Sequence, residues 1–201
     1  MKSVGIVDYN VGNLKSLRKN ILRLGFDTII SSDEKVLRQK DIVILPGVGS
    51  FLFAMKNLKS LGLDEFIFDF AKNKPIIGIC LGMQLLADTS DELGKNSGLG
   101  LIPGKIIQIK NKKHHIGWSK IDFMRKNNFL EKYNDHQFYF NHGYFFKGDN
   151  NFIIAKSYFE SSFASIIKKD NVIGFQFHPE KSQVNGMNLL NSTINHLIEK
   201  Y

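Results

Sequence analysis

The chain has 201 residues, which at about 150 residues per domain predicts a single domain over residues 1–201. Apolar residues make up 43% of the chain and charged residues 23%, a composition typical of folded rather than disordered proteins. The net charge is +8, but the densest basic cluster, at 110–115, is too short to indicate nucleic-acid binding. No apolar run reaches the roughly 20 residues that cross a membrane, and Asp8 interrupts the first apolar run, so no signal peptide is predicted. One cysteine excludes an internal disulfide, and we expect a cytoplasmic protein that binds neither membrane nor nucleic acid.

In chain order, short runs rich in Val and Ile alternate with segments of helical periodicity over the first ninety residues. The predicted strands are 3–8, 26–30, 41–45 and 75–79, and the predicted helices are 14–24, 53–72 with a break at Gly62, and 81–88. Strands that alternate with helices at this spacing indicate an α/β fold, whose central, mostly parallel sheet is flanked by helices. Active sites of such sheets lie at the carboxyl ends of the strands.

The second half of the chain is richer in aromatic residues and in Gly, Asn and Asp turns. The pattern predicts extra strands at 105–109, 116–123, 138–146, 152–158, 163–167 and 172–177, followed by a helix at 188–200. We expect the two halves to share one sheet.

The segment around Cys80 is the clearest chemical signal in the chain. Cys80 follows a predicted strand and precedes a helix, with Gly78 and Gly82 two residues away on either side. This is the pattern of a nucleophile elbow, with cysteine in the place of serine. The glycines permit a sharp turn, and the dipole of the following helix favours a thiolate. The spacing therefore favours a nucleophile over an ordinary buried cysteine.

A cysteine nucleophile needs a base and a group that orients the base. His178 and Glu180 follow the last apolar strand, and residues two apart in a strand share one face. We predict that His178 takes the thiol proton while Glu180 holds its imidazole.

Acyl transfer also needs donors for a developing oxyanion. Gly47, Val48 and Gly49 follow the strand 41–45, and they lie beside the elbow if the strands 41–45 and 75–79 are neighbours. Their backbone N–H groups and that of Leu81, the residue after the nucleophile, are the predicted oxyanion donors.

Five motifs together resemble a known family. They are DYNVGNLKS at 8–16, PGVGSF at 46–51, GICLGMQLL at 78–86, HIGW at 115–118 and FHPEKS at 177–182. Their order and spacing over nearly the whole chain resemble the class I, triad-type glutamine amidotransferases, and among these the glutaminase subunits of imidazole glycerol phosphate synthase. The resemblance implies a flavodoxin-like fold.

The resemblance also implies a reaction and the residues that perform it. Cys80 would attack the side-chain amide of glutamine, and the resulting thioester would be hydrolysed to glutamate after ammonia leaves. By the same resemblance, the glutamine pocket would contain Gln84, Glu92, His142, Gly143 and Tyr144. No metal or cofactor is implied.

The family delivers its ammonia to a (β/α)₈ cyclase subunit in a heterodimer, which makes imidazole glycerol phosphate and aminoimidazole carboxamide ribotide in histidine biosynthesis. Trp118, Tyr139 and Lys181 stand where the family meets that partner. For Trp118, a place in the buried core is the alternative.

The chain departs from the family pattern at Ile116, Ser119 and 141–143, in segments tied to the partner. These departures leave the acceptor open, and a paralogue that supplies ammonia for amidination of a surface sugar is an alternative. A non-catalytic regulatory or scaffold subunit is a second alternative, and a peptidase or γ-glutamyl hydrolase is a third.

Overall fold

The computed structural model describes residues 1–124 and 129–201. The elements of the first half are β1 Ser3–Val7, α1 Leu14–Arg23, β2 Asp27–Ser31, α2 Glu34–Arg38, β3 Ile42–Leu45, α3 Phe51–Ser60, α4 Leu63–Phe70, β4 Ile76–Ile79, α5 Leu81–Leu85 and β5 Ala87–Ser90. The elements of the second half are β6 Asn96–Ser97, β7 Ile102–Gln108, β8 His115–Lys120, β9 Asp122–Phe123, β10 Gln137–His142, β11 Tyr144–Gly148, β12 Ile153–Phe159, β13 Ser161–Lys169, β14 Val172–Phe175 and α6 Gln183–Lys200. None of the helices in these ranges is both long and apolar enough to cross a membrane.

The main sheet has eight strands in the order β2-β1-β3-β4-β14-β13-β12-β9. The first five of these strands are parallel to one another, and the last three are added by antiparallel pairing. All residues of the central strands β3, β4 and β14 are buried, as is usual where helices cover both faces of a parallel sheet. The structure therefore confirms the predicted α/β fold with a mostly parallel central sheet.

Each face of this sheet packs against its own set of helices. Buried residues of α3 and α4, such as Leu58 and Phe66, share one apolar cluster with α5. Buried residues of α1 and α6, such as Leu17 and Leu190, belong to the cluster on the other face. Gly62 has φ +66° between α3 and α4, which confirms the predicted break in that helical stretch because a left-handed residue ends a helix.

The prediction of one shared sheet is only partly right. β9, β12, β13 and β14 join the main sheet, but β8 pairs with β10 alone, and β11, β7, β5 and β6 form a third sheet. The predicted strand 138–146 is two strands separated at Gly143, since β10 and β11 pair with different partners.

The helices also differ from the prediction in their boundaries and in their number. The helix predicted at 81–88 ends at Leu85, and Ala87 begins a strand that pairs with β7. The short helix α2 was not predicted, and it begins where the side chain of Asp33 accepts a hydrogen bond from Lys35 N. The last helix starts at Gln183, five residues before the predicted start.

Candidate active site

Cys80 lies in a strained turn between β4 and α5. Its φ of 52° and ψ of −106° are rare for a residue with a side chain, and its N–H donates to Phe175 O at 2.7 Å. A Cβ at Gly82 would lie 1.7 Å from Leu45 O, and one at Gly78 would lie 2.7 Å from Gly82 O. Both glycines are therefore required by backbone packing, and the structure has the elbow that the sequence predicts.

His178 lies next to Cys80 and Glu180 next to His178, but not for the reason given by strand alternation. β14 ends at Phe175, and His178 is the N-cap of a 3₁₀ turn over Pro179–Lys181. That turn brings the Glu180 carboxylate back to the imidazole, so that His178 Nδ1–H donates to Glu180 Oε1 at 2.8 Å. The other ring nitrogen, Nε2, is buried and interacts with the Cys80 side chain, although among the described residues it makes no hydrogen bond of normal length.

The charge of His178 depends on both of its neighbours. Burial, the largest effect, disfavours the charged imidazole, but the Cys80 thiolate and the Glu180 carboxylate outweigh it and raise the pKa of His178 to about 10. At neutral pH, His178 therefore favours the imidazolium form, between the sulfur of Cys80 and the carboxyl group of Glu180. A charged imidazole beside a thiolate is the form in which a cysteine nucleophile is active.

The loop after β3 lies beside the elbow because β3 and β4 are neighbours, with Leu45 opposite Gly78. The hydroxyl of the buried Tyr9 donates to Pro46 O. A Cβ at Gly47 would lie 2.5 Å from that hydroxyl oxygen and 3.1 Å from Leu81 Cβ. Gly47 therefore packs directly on Leu81, which begins α5 and has an N–H that the helix leaves unpaired, and Val48 and Gly49 line one cavity with Leu81.

A cavity of about 310 Å³ opens at the sulfur of Cys80. It is lined by Val48, Gly49, Cys80, Leu81, Gln84, Glu92, His114, Asn141, His142, Gly143 and Tyr144. Every residue predicted for the glutamine pocket is in that set. A larger open depression of about 440 Å³ lies along α3 and α4, but its lining contains no cysteine or histidine.

Gln84 and Glu92 have structural partners as well as a place in the cavity. Gln84 Nε2 donates to Tyr144 O at 2.9 Å and to Gln176 Oε1 at 3.3 Å. Glu92 Oε2 accepts from Phe51 N at 3.0 Å, at the first residue of α3. A carboxylate at a helix start is stabilised there, so Glu92 is fixed while it lines the cavity.

Several residues of the site were missed by sequence reasoning. His115 had appeared only as part of a motif, yet its Nδ1 is 3.3 Å from Nε2 of the buried His142. Gln176 is fully buried, with Nε2 3.9 Å from Cys80 Sγ. Its position two residues before His178 was the available signal, but a buried amide there gives no chemical pattern by itself.

The three residues predicted to contact a partner lie on one side of the site. Trp118 is 43% exposed, so the core alternative is wrong for it. It pairs across the strands with Tyr139, and the two rings are 6.0 Å apart in an edge-to-face arrangement. Lys181 lines a small cavity together with Gly47 and Glu180.

Solved structures similar to the whole chain share its fold. One is PurLQS from Thermotoga maritima, with a TM-score of 0.77 and 20% identity, covering 98% of this chain and 100% of that chain. Another is a glutamine amidotransferase from the same organism, with a TM-score of 0.71 and 17% identity, covering 99% of each chain.

Comparison of sequences identifies the family more narrowly than the shared fold does. The family model "Glutamine amidotransferase class-I" matches residues 5–196. The chain is 41% identical to the imidazole glycerol phosphate synthase subunit HisH of Aquifex aeolicus over 191 residues, covering 92% of each. It is 39% identical to HisH of Geobacillus thermodenitrificans over 201 residues, covering 95% of this chain and 94% of the relative. The chain therefore belongs to the class I glutamine amidotransferases and, within them, to the HisH family of imidazole glycerol phosphate synthase subunits.

Proposed function

We propose that this protein is the glutaminase subunit of an imidazole glycerol phosphate synthase and that Cys80, His178 and Glu180 are its catalytic triad. The carrying observation is that Cys80, which lines a cavity of about 310 Å³, interacts with His178, whose Nδ1 lies 2.8 Å from Glu180 Oε1. The HisH relatives, at about 40% identity over nearly the whole chain, support the same assignment.

The first half-reaction releases ammonia. The Cys80 thiolate attacks the side-chain carbonyl carbon of glutamine, and the resulting oxyanion is stabilised by N–H groups of Leu81 and of the loop from Gly47 to Gly49. The His178 imidazolium gives its Nε2 proton to the leaving nitrogen as the C–N bond breaks. Ammonia and a γ-glutamyl thioester on Cys80 result, with His178 neutral.

The second half-reaction restores the enzyme. Neutral His178 accepts a proton from water, and the hydroxide attacks the thioester carbonyl. The C–S bond breaks, glutamate leaves, and the thiolate–imidazolium pair is formed again. Glu180 accepts a hydrogen bond from Nδ1 throughout, so that Nε2 always faces the reacting atoms.

The cavity offers complementary groups for the rest of glutamine. The carboxylate of Glu92 is the acid among the lining residues and is suited to the α-ammonium group. Gln84 lies one helical turn beyond Cys80 on the same face of α5, where its amide meets the substrate chain. Backbone of 142–144 closes the pocket.

For the partner, we propose a (β/α)₈ cyclase that docks against Trp118, Tyr139 and Lys181 and receives the ammonia. A small cavity on the far side of His178 and Glu180 supports release of the ammonia towards Lys181. Glu180 and Lys181 line this cavity together with Gly12 and Asn13 of the loop after β1. Trp118 is exposed and packs edge-to-face on the half-buried Tyr139, and exposed aromatic residues of this kind are typical anchors of protein interfaces.

The test of the chemistry is glutamate release from glutamine, measured for the wild type and for Cys80→Ala with the cyclase of the same genome and its nucleotide substrate. We expect Cys80→Ala to abolish glutamine-dependent product formation and to leave ammonia-dependent formation intact. Loss of both activities would refute the assigned role of Cys80. Failure of a glutamine-analogue affinity label to react with the wild-type complex would favour the scaffold alternative.

The test of the partner compares Trp118→Ala with Phe68→Ala, an equally exposed aromatic residue on α4 at 49% exposure. We expect the Kd for the cyclase to rise at least about tenfold in Trp118→Ala and to stay unchanged in Phe68→Ala. Glutaminase activity that the cyclase does not stimulate, in a protein that still reacts with the affinity label, would instead indicate the surface-sugar acceptor.

A further inference from the structure

Six polar groups form one hydrogen-bonded chain that ends at the nucleophile. The first half of the chain runs from Ser119 to the Tyr144 carbonyl, with distances of 3.0 Å from Ser119 Oγ to His115 Nε2, 3.3 Å from His115 Nδ1 to His142 Nε2, and 2.9 Å from His142 Nδ1 to Tyr144 O. The second half runs from that carbonyl to the nucleophile, with distances of 2.9 Å from Tyr144 O to Gln84 Nε2, 3.3 Å from Gln84 Nε2 to Gln176 Oε1, and 3.9 Å from Gln176 Nε2 to Cys80 Sγ. The proposed mechanism uses neither Ser119, His115 nor Gln176.

The donors and acceptors between Ser119 and Tyr144 follow from the Tyr144 carbonyl oxygen, which can only accept a hydrogen bond. His142 Nδ1 must therefore carry the proton that it donates to Tyr144 O, and because burial holds the pKa of His142 at about 3, its Nε2 is a bare acceptor. His115 then donates from Nδ1, and burial lowers the pKa of His115 to about 4, so its Nε2 accepts from the Ser119 hydroxyl.

The donors and acceptors between Tyr144 and Cys80 follow from the same carbonyl oxygen. Gln84 must present its amide nitrogen, not its oxygen, to Tyr144 O. The same nitrogen then donates to Gln176 Oε1. Because the oxygen of Gln176 is engaged by Gln84, its NH₂ group is the one that faces the sulfur of Cys80.

We propose that Gln176 is a further catalytic residue, whose amide N–H donates to the Cys80 thiolate and which Gln84 and the rest of the chain hold in the donating orientation. The inference rests on the proposed glutaminase function. Gln176 is fully buried, so water does not compete for the sulfur from that side, and hydrogen bonds to an anion are about twice as strong as neutral ones. With its amide reversed, Gln176 would direct an oxygen at the thiolate and repel it.

The first test is the pH dependence of Cys80 alkylation by iodoacetamide in Gln176→Leu and Gln176→Glu. Leucine removes the donor at similar volume, and glutamate replaces the NH₂ group by an oxygen. His178 and Tyr9 interact electrostatically with Cys80, and Glu92, His114 and His142 line the same cavity; all five are unchanged in both variants. We expect the pH of half-maximal alkylation to rise by about one unit in Gln176→Leu and further in Gln176→Glu.

The same variants should separate kcat from KM. We expect kcat for glutamine hydrolysis in the complex to fall about tenfold in Gln176→Leu, with KM changed less than about twofold. A kcat and an alkylation profile equal to those of the wild type would overturn the proposal, whereas a rise in KM alone would assign Gln176 to substrate binding and overturn it too.

A milder variant keeps the test valid if changes at Gln176 prevent folding. Ser119→Ala removes the first donor of the chain, and its matched control is Ser165→Ala, a buried serine of β13 whose hydroxyl has no hydrogen-bond partner. We expect kcat/KM to fall about two- to fivefold in Ser119→Ala and not in Ser165→Ala. Equal activities in both variants would refute the orienting role of the chain.

Failure of this inference is distinguishable from failure of the proposed function. If the wild-type complex releases no glutamate, the glutaminase assignment is wrong. If the wild type is active and Gln176→Leu is equally active, only the role of Gln176 is wrong.

Discussion

The hydrogen bond between Glu180 and His178 allows a quantitative test of the triad. Glu180→Gln keeps the length of the side chain and removes its charge. The Asn20 side chain holds Glu180 by its backbone oxygen, so the substitution leaves that anchor in place. We expect the variant to fold and to lose catalytic rate.

The size of the loss follows from the 2.8 Å contact between His178 Nδ1 and Glu180 Oε1. A glutamine oxygen can still accept from Nδ1, so the variant loses the charge rather than the hydrogen bond. Hydrogen bonds to charged groups contribute about 1.5–3 kcal/mol and neutral ones about 1 kcal/mol. The difference of about 0.5–2 kcal/mol corresponds to a fall in kcat of about two- to thirtyfold.

The assay is steady-state glutamate release by the complex as a function of pH, with urea unfolding in parallel. The pKa of His178 is raised to about 10 in the folded protein against about 6.5 in an unfolded chain. The folded state thus binds the extra proton, and this contribution to stability is complete below about pH 6.5 and is lost as the pH rises through about 10. Because Glu180 is one of the groups that raise this pKa, the alkaline loss of activity and stability should begin at lower pH in Glu180→Gln.

The control is Glu34→Gln, which removes an exposed carboxylate that pairs with Arg38 at 3.2 Å. Surface pairs of this kind contribute little, so we expect its kcat and pH profile to equal those of the wild type. A Glu180→Gln variant with wild-type kcat and an unshifted alkaline limb would refute the role assigned to Glu180.

Two further predictions concern the elbow and acid stability. Gly82→Ala should fail to fold or lose more than about 4 kcal/mol of unfolding free energy, because the alanine Cβ would overlap Leu45 O. The control is Gly94→Ala, which has open space around the added Cβ at φ +107° and should lose only about 1–2 kcal/mol. Urea titrations of both variants check this, and similar losses in the two would contradict it. Acidification below about pH 6.5 should destabilise the fold, because burial lowers the pKa of His115 to about 4 and the unfolded state therefore binds the proton first. His115→Gln should reduce this pH dependence of the unfolding free energy, and a slope equal to that of the wild type would argue against it.

Much of the fold could be predicted because its signals are local. Runs such as Ile42–Leu45 and Ile76–Ile79 are too short and too apolar for an exposed helix, and the helices between them show their own period. The glycines around Cys80 identify the elbow because only a residue without a Cβ fits against the Leu45 carbonyl. Gly143 shows the limit of this reasoning, since no local signal separates one long strand from two strands with different partners.

In the candidate site, too, some residues could be predicted from local sequence signals and others could not. Cys80, His178 and Glu180 could be recognised from the sequence because a nucleophile, a base and an acid follow two strands, although the 3₁₀ turn that joins His178 to Glu180 could not. Gln176 and His115 could not be recognised at all. A buried amide or imidazole acquires its role only from the groups that it faces, and those groups belong to strands far apart in the chain.

Residue order and spacing were therefore sufficient for the α/β class, the cysteine elbow and the three residues proposed as the triad, because each depends on neighbours within a few positions. The tertiary structure alone decided which strands joined the main sheet, how the imidazole of His178 is charged, and that a hydrogen-bonded chain from Ser119 reaches the sulfur of Cys80. The physical reason is that burial, charge and hydrogen-bond direction are set by groups brought together from distant parts of the chain, which no local pattern records.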